Sequence, residues 1–185
     1  MLLKRVYLGC IFAMMAWANP VLAHDKKPSS EDLKMASELV GGGKNEVALG
    51  KLAQEKSTNS DVRDFGERMA QDHAAMGDHI QQWASSKKVK IVNKEADSSD
   101  VALKKKLESL SGAEFDKAYM DAMLDDHKKD IAGLQKFIAK ESESDFKKLL
   151  SDSLLVMENH MRVAQNVAGK IGVSPKSGLN EPEHP

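Results

Sequence analysis

Four long segments of this chain repeat their apolar residues at intervals of three and four, and this spacing limits the fold more than any other feature of the sequence. Side chains at these intervals share one face of an α-helix, so each segment predicts a helix with one buried stripe. The segments span about residues 30–56, 61–86, 112–140 and 145–168. Alternation typical of strands is lacking. The pattern therefore predicts an all-α fold in which four helices form an antiparallel bundle.

The segments between these helices have their own signals. Residues 87–98 are polar and lysine-rich, which predicts a loop, and residues 99–110 predict a short extra helix between the second and third long helices. Ser111 and Glu114 have the spacing of a capping box. Gly41–Gly43 would weaken an isolated helix. Inside a bundle these glycines predict close approach of a neighbouring helix, and a break in the helix is the alternative.

The first 23 residues have the pattern of a secretory signal peptide. Lys4 and Arg5 precede an apolar run of about a dozen residues, the length of a signal core and too short to cross a bilayer. We expect cleavage after Ala23 and an exported, periplasmic protein. The predicted mature chain has three parts, which are a flexible leader (24–29), a bundle domain (30–168) and a disordered tail (169–185).

Cysteine content and charge exclude several classes of protein. The single cysteine, Cys10, lies within the predicted signal peptide, which excludes disulfides and thiolate chemistry from the mature chain. The 27 basic and 28 acidic residues nearly balance, so the charge footprint of nucleic-acid binding is missing. No second apolar stretch has the length of a membrane span. No feature of the sequence indicates a particular protein partner.

A repeated motif carries the main chemical signal. Met69–His73 in the second segment and Met123–His127 in the third both read Met-x-x-Asp-His. Methionine and histidine four residues apart lie on one face of a helix. The fourth segment has the related stretch Met157–His160. Because a helix rises about 1.5 Å per residue, all three histidines are predicted to lie near the middle of the bundle.

Glu46 of the first segment is predicted to lie at the same height as these histidines. One carboxylate and three imidazoles at one level have the composition of a metal site, here for a single copper or zinc ion. The candidate ligands are Glu46, His73, His127 and His160. The neighbouring thioethers, which could favour copper(I), are Met69, Met123 and Met157. The residues expected to orient the ligands or to hydrogen-bond beside them are Asp72, Asp126 and Tyr119.

A structural interpretation competes with the metal site. Each histidine could be a buried neutral residue held by a nearby carboxylate, with Glu46 fixing the register of the helices. Methionines at helical spacing usually fill a core. From residue types alone the structural network is favoured, and the metal site is the alternative.

At these residues the chain resembles the family of the domain of unknown function 4142. The resemblance rests on Glu46–Ala53, on the two Met-x-x-Asp-His motifs, on Phe115–Tyr119 and on His160, and it covers about residues 30–168. It implies a ferritin-like four-helix bundle in the cell envelope. It implies no activity.

The sequence departs from the pattern of ferritin-like di-iron proteins, which place Glu-x-x-His on two helices. No glutamate lies three residues before His73, His127 or His160. A di-iron oxidase is therefore disfavoured. We expect a non-enzymatic envelope, stress or interaction module, with copper or zinc binding as the alternative. A metal-dependent redox enzyme is a lesser alternative, resting on the superfamily resemblance and on Tyr119.

Overall fold

The computed structural model describes residues 27–92, 94–141 and 144–173. In these ranges the chain forms no strand, and its five helices are α1 (Ser30–Lys56), α2 (Ser60–Ser86), α3 (Ser98–Glu108), α4 (Gly112–Lys140) and α5 (Asp145–Lys170). The predicted signal peptide, the leader up to residue 26 and the predicted tail from residue 174 lie outside the described residues. None of the described helices is long and apolar enough to cross a membrane.

Two apolar cores show how the long helices run. Core A gathers the end of α1, the starts of α2 and α4 and the end of α5, and includes Leu49, Phe65, Tyr119 and Val167. Core B gathers the opposite ends of the same helices, and includes Val40, Trp83, Leu134 and Leu150. Thus α1 and α5 run from core B to core A, while α2 and α4 run from core A to core B.

Each long helix packs against neighbours that run in the opposite direction. The pairs are α1 with α2, α4 with α5, α2 with α5 and, most loosely, α1 with α4. This arrangement confirms the predicted antiparallel four-helix bundle. Because α2 ends beside core B and α4 begins beside core A, the connection must travel the length of α2, about 40 Å for its 27 residues. Part of it is α3, whose Leu107 is buried in core A.

Local hydrogen bonds explain where the helices begin. Ser29 and Asp32 form a capping box at the start of α1, and the Asn59 side chain caps α2. The capping box predicted at Ser111 is wrong, since its hydroxyl makes no cap hydrogen bond. Gly112 follows it with a φ of 56°. A capping box needs helical geometry at that residue, so the positive φ accounts for the difference.

The end of α5 lies two residues beyond the predicted end. Gly172 has a φ of 72°, and the Val173 amide donates to the Ala168 carbonyl at 2.8 Å while the Gly172 amide donates to Gly169. These two bonds form a Schellman motif. Val173 also packs against core A, so this turn belongs to the fold.

The three consecutive glycines do not break α1, which is continuous from Ser30 to Lys56. A β-carbon on Gly41 would lie 2.6 Å from the Lys94 carbonyl oxygen. Gly41 therefore admits the crossover connection, whereas Gly43 faces the neighbouring helix α2, where a β-carbon would lie 3.6 Å from the His73 carbonyl oxygen. A tighter approach between α1 and α2 occurs at Gly50, where a β-carbon would lie 2.4 Å from the Gly66 carbonyl oxygen.

Candidate metal centre

Three histidines and one glutamate lie together between core A and core B. Each comes from a different long helix: Glu46 from α1, His73 from α2, His127 from α4 and His160 from α5. All four are buried, with at most 6% of the residue exposed. The ring centroids of the three imidazoles are 5.7, 5.3 and 5.5 Å apart. The four residues predicted to share one level of the bundle are thus adjacent.

Each imidazole has one nitrogen directed at an oxygen acceptor. His73 Nδ1 lies 2.9 Å from Glu46 Oε2. His127 Nδ1 lies 3.1 Å from the Met123 carbonyl oxygen. His160 Nε2 lies 2.8 Å from Asp72 Oδ2. A neutral imidazole has a single N–H, and donating it to an oxygen leaves the other nitrogen with a lone pair.

The three remaining nitrogens, His73 Nε2, His127 Nε2 and His160 Nδ1, are the ones left with lone pairs. His73 Nε2 is buried and has no hydrogen-bond partner among the described residues. His127 Nε2 lies 3.4 Å from His160 Nδ1. Because both rings donate their single N–H to oxygen atoms, neither of these two nitrogens carries a proton with which to hydrogen-bond the other. The three histidines offer nitrogens within 4.8 Å of one another, a separation compatible with one shared metal ion.

Burial keeps His127 and His160 neutral, although the nearby carboxylates oppose this effect. Burial lowers the pKa of His127 to about 4, and the attraction of Glu46 offsets only part of this effect. Burial likewise lowers the pKa of His160, against the opposing effect of the hydrogen bond that its ring donates to Asp72. Burial alone would raise the pKa of Glu46, but the charge and hydrogen bond of His73 outweigh it and the pKa is lowered. The cluster therefore combines neutral His127 and His160 rings with an ionised Glu46 near neutral pH.

Glu46 keeps one oxygen without a hydrogen bond. Its Oε1 is buried and has no such partner in the described part of the chain. The same atom lies 3.6 Å from His127 Nδ1, which is directed at the Met123 carbonyl. Glu46 therefore orients His73 through one oxygen and has the other available.

The two aspartates of the repeated motif have different surroundings. Asp72 reaches across from α2 to His160 on α5 and also contacts Arg68 at 3.3 Å. Burial would raise the pKa of Asp72, but the hydrogen bond and charge of His160 lower it. Asp126 instead lies 3.7 Å from Lys129 on its own helix. Among the described hydrogen bonds, only Asp72 of these two reaches an imidazole.

The predicted neighbours fall on both sides of the cluster. Met69 and Met123 are buried in core A, and Met157 is buried in core B. Tyr119 is buried in core A, stacked on Phe115, with a hydroxyl that has no hydrogen-bond partner among the described residues. Burial and the nearby Glu46 charge raise the pKa of Tyr119 above its usual range.

Sequence reasoning missed a cavity of about 470 Å³ beside the cluster. It lies between α1 and α4 under the crossover, and Glu46 and His73 form part of its lining. Asp126 and Asp130 also line it. Their spacing of four on one helix was the available signal, because it places two carboxylates on the same face. The hydrogen bond that His127 donates to the Met123 carbonyl had no signal in the side-chain pattern.

The sequence shows which protein family this chain belongs to. The family described as "Domain of unknown function (DUF4142)" matches residues 18–167, so the chain belongs to that family. This match confirms the family resemblance drawn from the motifs. No curated protein matches the chain.

Two solved structures have a similar fold. A secreted DUF305 protein from Streptomyces coelicolor is 15% identical, with a TM-score of 0.68, and the match covers 80% of this chain and 97% of that one. A DUF305 fragment from Deinococcus radiodurans is 10% identical, with a TM-score of 0.71, and the match covers 78% of this chain and 99% of the fragment. At these identities the likeness concerns the fold alone.

Proposed function

We propose that this protein binds one copper or zinc ion in the cell envelope, through His73, His127 and His160. The observation that supports this most directly is the direction of the three rings. Each has one nitrogen directed at an oxygen acceptor, His127 Nε2 and His160 Nδ1 face each other at 3.4 Å, and each ring offers one nitrogen within 4.8 Å of the other two. A carboxylate or carbonyl that orients a histidine in this way is typical of metal-ligating imidazoles.

The spacing between two of the nitrogens fits the bond lengths of such an ion. Zinc–nitrogen bonds of about 2.0–2.1 Å in a tetrahedron put ligand nitrogens about 3.3 Å apart. His127 Nε2 and His160 Nδ1 are 3.4 Å apart. A cation between them would also replace the repulsion of two facing lone pairs with attraction. Glu46 acts on the ion indirectly, because its Oε2 holds His73 at Nδ1, on the side of the ring away from Nε2.

The ligand types limit the ion. Three imidazoles suit zinc and copper, whereas calcium and magnesium prefer oxygen ligands. The sulfurs of Met69 and Met123 in core A and of Met157 in core B are soft groups that would favour copper(I) if one of them joined the ligands. Export to the envelope is part of this proposal and rests on the signal-peptide pattern of residues 1–23.

A purely structural network, which the residue types favoured, accounts less well for the unpaired atoms. His73 Nε2 and Glu46 Oε1 are buried without hydrogen-bond partners among the described residues. Leaving a buried polar group unpaired costs about 1–3 kcal/mol. A network selected for stability alone would pair both atoms, whereas a metal site needs His73 Nε2 free.

The test is a titration of the purified, chelator-treated protein with copper and with zinc in parallel, followed by calorimetry and by metal analysis. We expect saturable binding of one ion per chain. The triple variant His73→Ala/His127→Ala/His160→Ala should lose it, and His79→Ala, which changes an exposed histidine of α2, should keep it. Saturable binding that survives in the triple variant, or none in the unchanged protein, would refute the proposal.

A further inference from the structure

The cavity between α1 and α4 carries an excess of negative charge. Its lining includes seven carboxylates and two lysines. Asp97 and Asp100 among them form the capping box of α3. Asp126 and Asp130 lie one turn apart on α4, towards the exposed side of the cavity. A cleft lined mainly by one sign of charge raises the local concentration of the opposite ion.

The inner end of the cavity is formed by groups that belong to the histidine cluster. Glu46 and His73 are 6% and 3% exposed, and both line the cavity. Glu46 Oε1 and His73 Nε2 have no hydrogen-bond partner among the described residues. The cavity thus joins carboxylates near the surface to unpaired buried donors.

We infer that this cavity is the route by which a divalent cation reaches the histidines, with Asp126 and Asp130 attracting it and Glu46 receiving it beside His73. The inference rests on the proposed metal binding. A cation with six waters occupies roughly 200 Å³, at about 30 Å³ per water, and the cavity offers about 470 Å³. On the other side of the cluster, between α2 and α5, Asp72 is held by both His160 and Arg68.

Glycines leave the route open. Gly42 of α1 and Gly133 of α4 both line the cavity. A β-carbon built on either would meet nothing within 4 Å. Larger side chains at these two positions would enter the space without colliding with the backbone of a neighbour, so they can narrow the route without changing its charge.

The first experiment measures the rate of Cu²⁺ association by stopped-flow quenching of tryptophan fluorescence in the chain from residue 24 onwards, where Trp83 is the single tryptophan. We expect Asp126→Asn/Asp130→Asn to slow association about tenfold and to weaken its dependence on salt. The matched control is Asp64→Asn/Glu67→Gln, which removes two exposed charges from α2. It should leave the rate within about twofold of the unchanged protein.

The second experiment uses the narrowing variant Gly42→Phe/Gly133→Phe. Narrowing the route leaves the metal-binding side chains unchanged, both in the metal-free protein and in the protein with metal bound. We therefore expect association and dissociation to slow by the same factor and the Kd to stay the same.

The possible results distinguish a failure of the proposed route from a failure of the proposed metal site. Slower association in both variants, with the control unaffected, supports the route. Binding at an unchanged rate in either variant would overturn the route and leave the proposed site intact. So would a changed Kd in the narrowing variant at constant association rate. If the unchanged protein binds no metal, the proposed function fails, and the route fails with it.

Discussion

Each histidine of the cluster depends on one oxygen acceptor, and the three acceptors differ in their exposure. The Met123 carbonyl is part of a helix backbone, and Glu46 is buried. The Asp72 side chain is 35% exposed, so water can reach it. Asp72 is therefore the acceptor that can be removed with the least disturbance to packing, and its removal isolates the effect of orienting a ring.

Asp72→Ala should weaken metal binding by about 10- to 100-fold, the usual effect of removing a carboxylate that orients a ligating histidine. Without Asp72, His160 no longer has a fixed N–H position and can place its proton on Nδ1, which faces His127. Calorimetric titration measures the change in affinity. Asp64→Ala, an exposed aspartate earlier on α2, is the control and should bind as the unchanged protein does. Equal affinities for both variants would contradict the assigned role of Asp72.

At the scale of the helices, glycine has opposite uses at different positions of α1. Gly50 lies at the crossing with α2, where a β-carbon would be 2.4 Å from the Gly66 carbonyl oxygen. Gly42 lies beside the cavity, where a β-carbon would meet nothing within 4 Å. Glycine in a helix interior carries an entropic penalty at both positions, but packing requires a glycine only at Gly50.

Gly42→Ala should therefore stabilise the metal-free protein by about 1 kcal/mol, the difference in helix propensity between glycine and alanine. Gly50→Ala should destabilise it, because α1 and α2 would have to separate. Urea unfolding followed by circular dichroism gives both free energies of unfolding. A destabilised Gly42→Ala protein would show that the space beside this glycine is needed by the fold, and a stable Gly50→Ala protein would contradict the close crossing.

At the scale of the whole molecule, features set by local rules could be predicted from the sequence. The long helices end within about two residues of their predicted ends, since apolar spacing and turn residues are local signals. The common height of His73, His127 and His160 follows from the fixed rise of a helix. What could not be predicted depends on rotation about the helix axes. Nothing in two identical motifs shows that Asp72 reaches an imidazole while Asp126 faces a cavity.

The same burial that keeps His127 and His160 neutral makes the stability of the molecule depend on pH. Burial lowers the pKa of His127 from 6.5 to about 4. Between pH 6.5 and pH 4, therefore, His127 is protonated in the unfolded chain and stays neutral in the folded protein. Stability is thus fully present above about pH 6.5 and is lost as pH falls towards 4. The lowered pKa of His160 acts in the same direction. Asp126 and Asp130, whose pKa values are raised by burial, the latter to about 6, act in the opposite direction, but both side chains reach solvent, which screens them.

For the metal-free protein we expect the free energy of unfolding to fall by about 2 kcal/mol between pH 7.5 and pH 5 from His127 alone. Urea unfolding at both pH values, with chelator present, measures this change. His127→Gln cannot titrate in this range and should lose about 2 kcal/mol less between the two pH values, whatever its stability at pH 7.5. His79→Gln, which removes an exposed histidine, should keep the full dependence. Equal pH dependence in all three proteins would mean that His127 accepts a proton inside the folded bundle, and the neutral ring with its free Nε2 would then be the wrong description of the cluster.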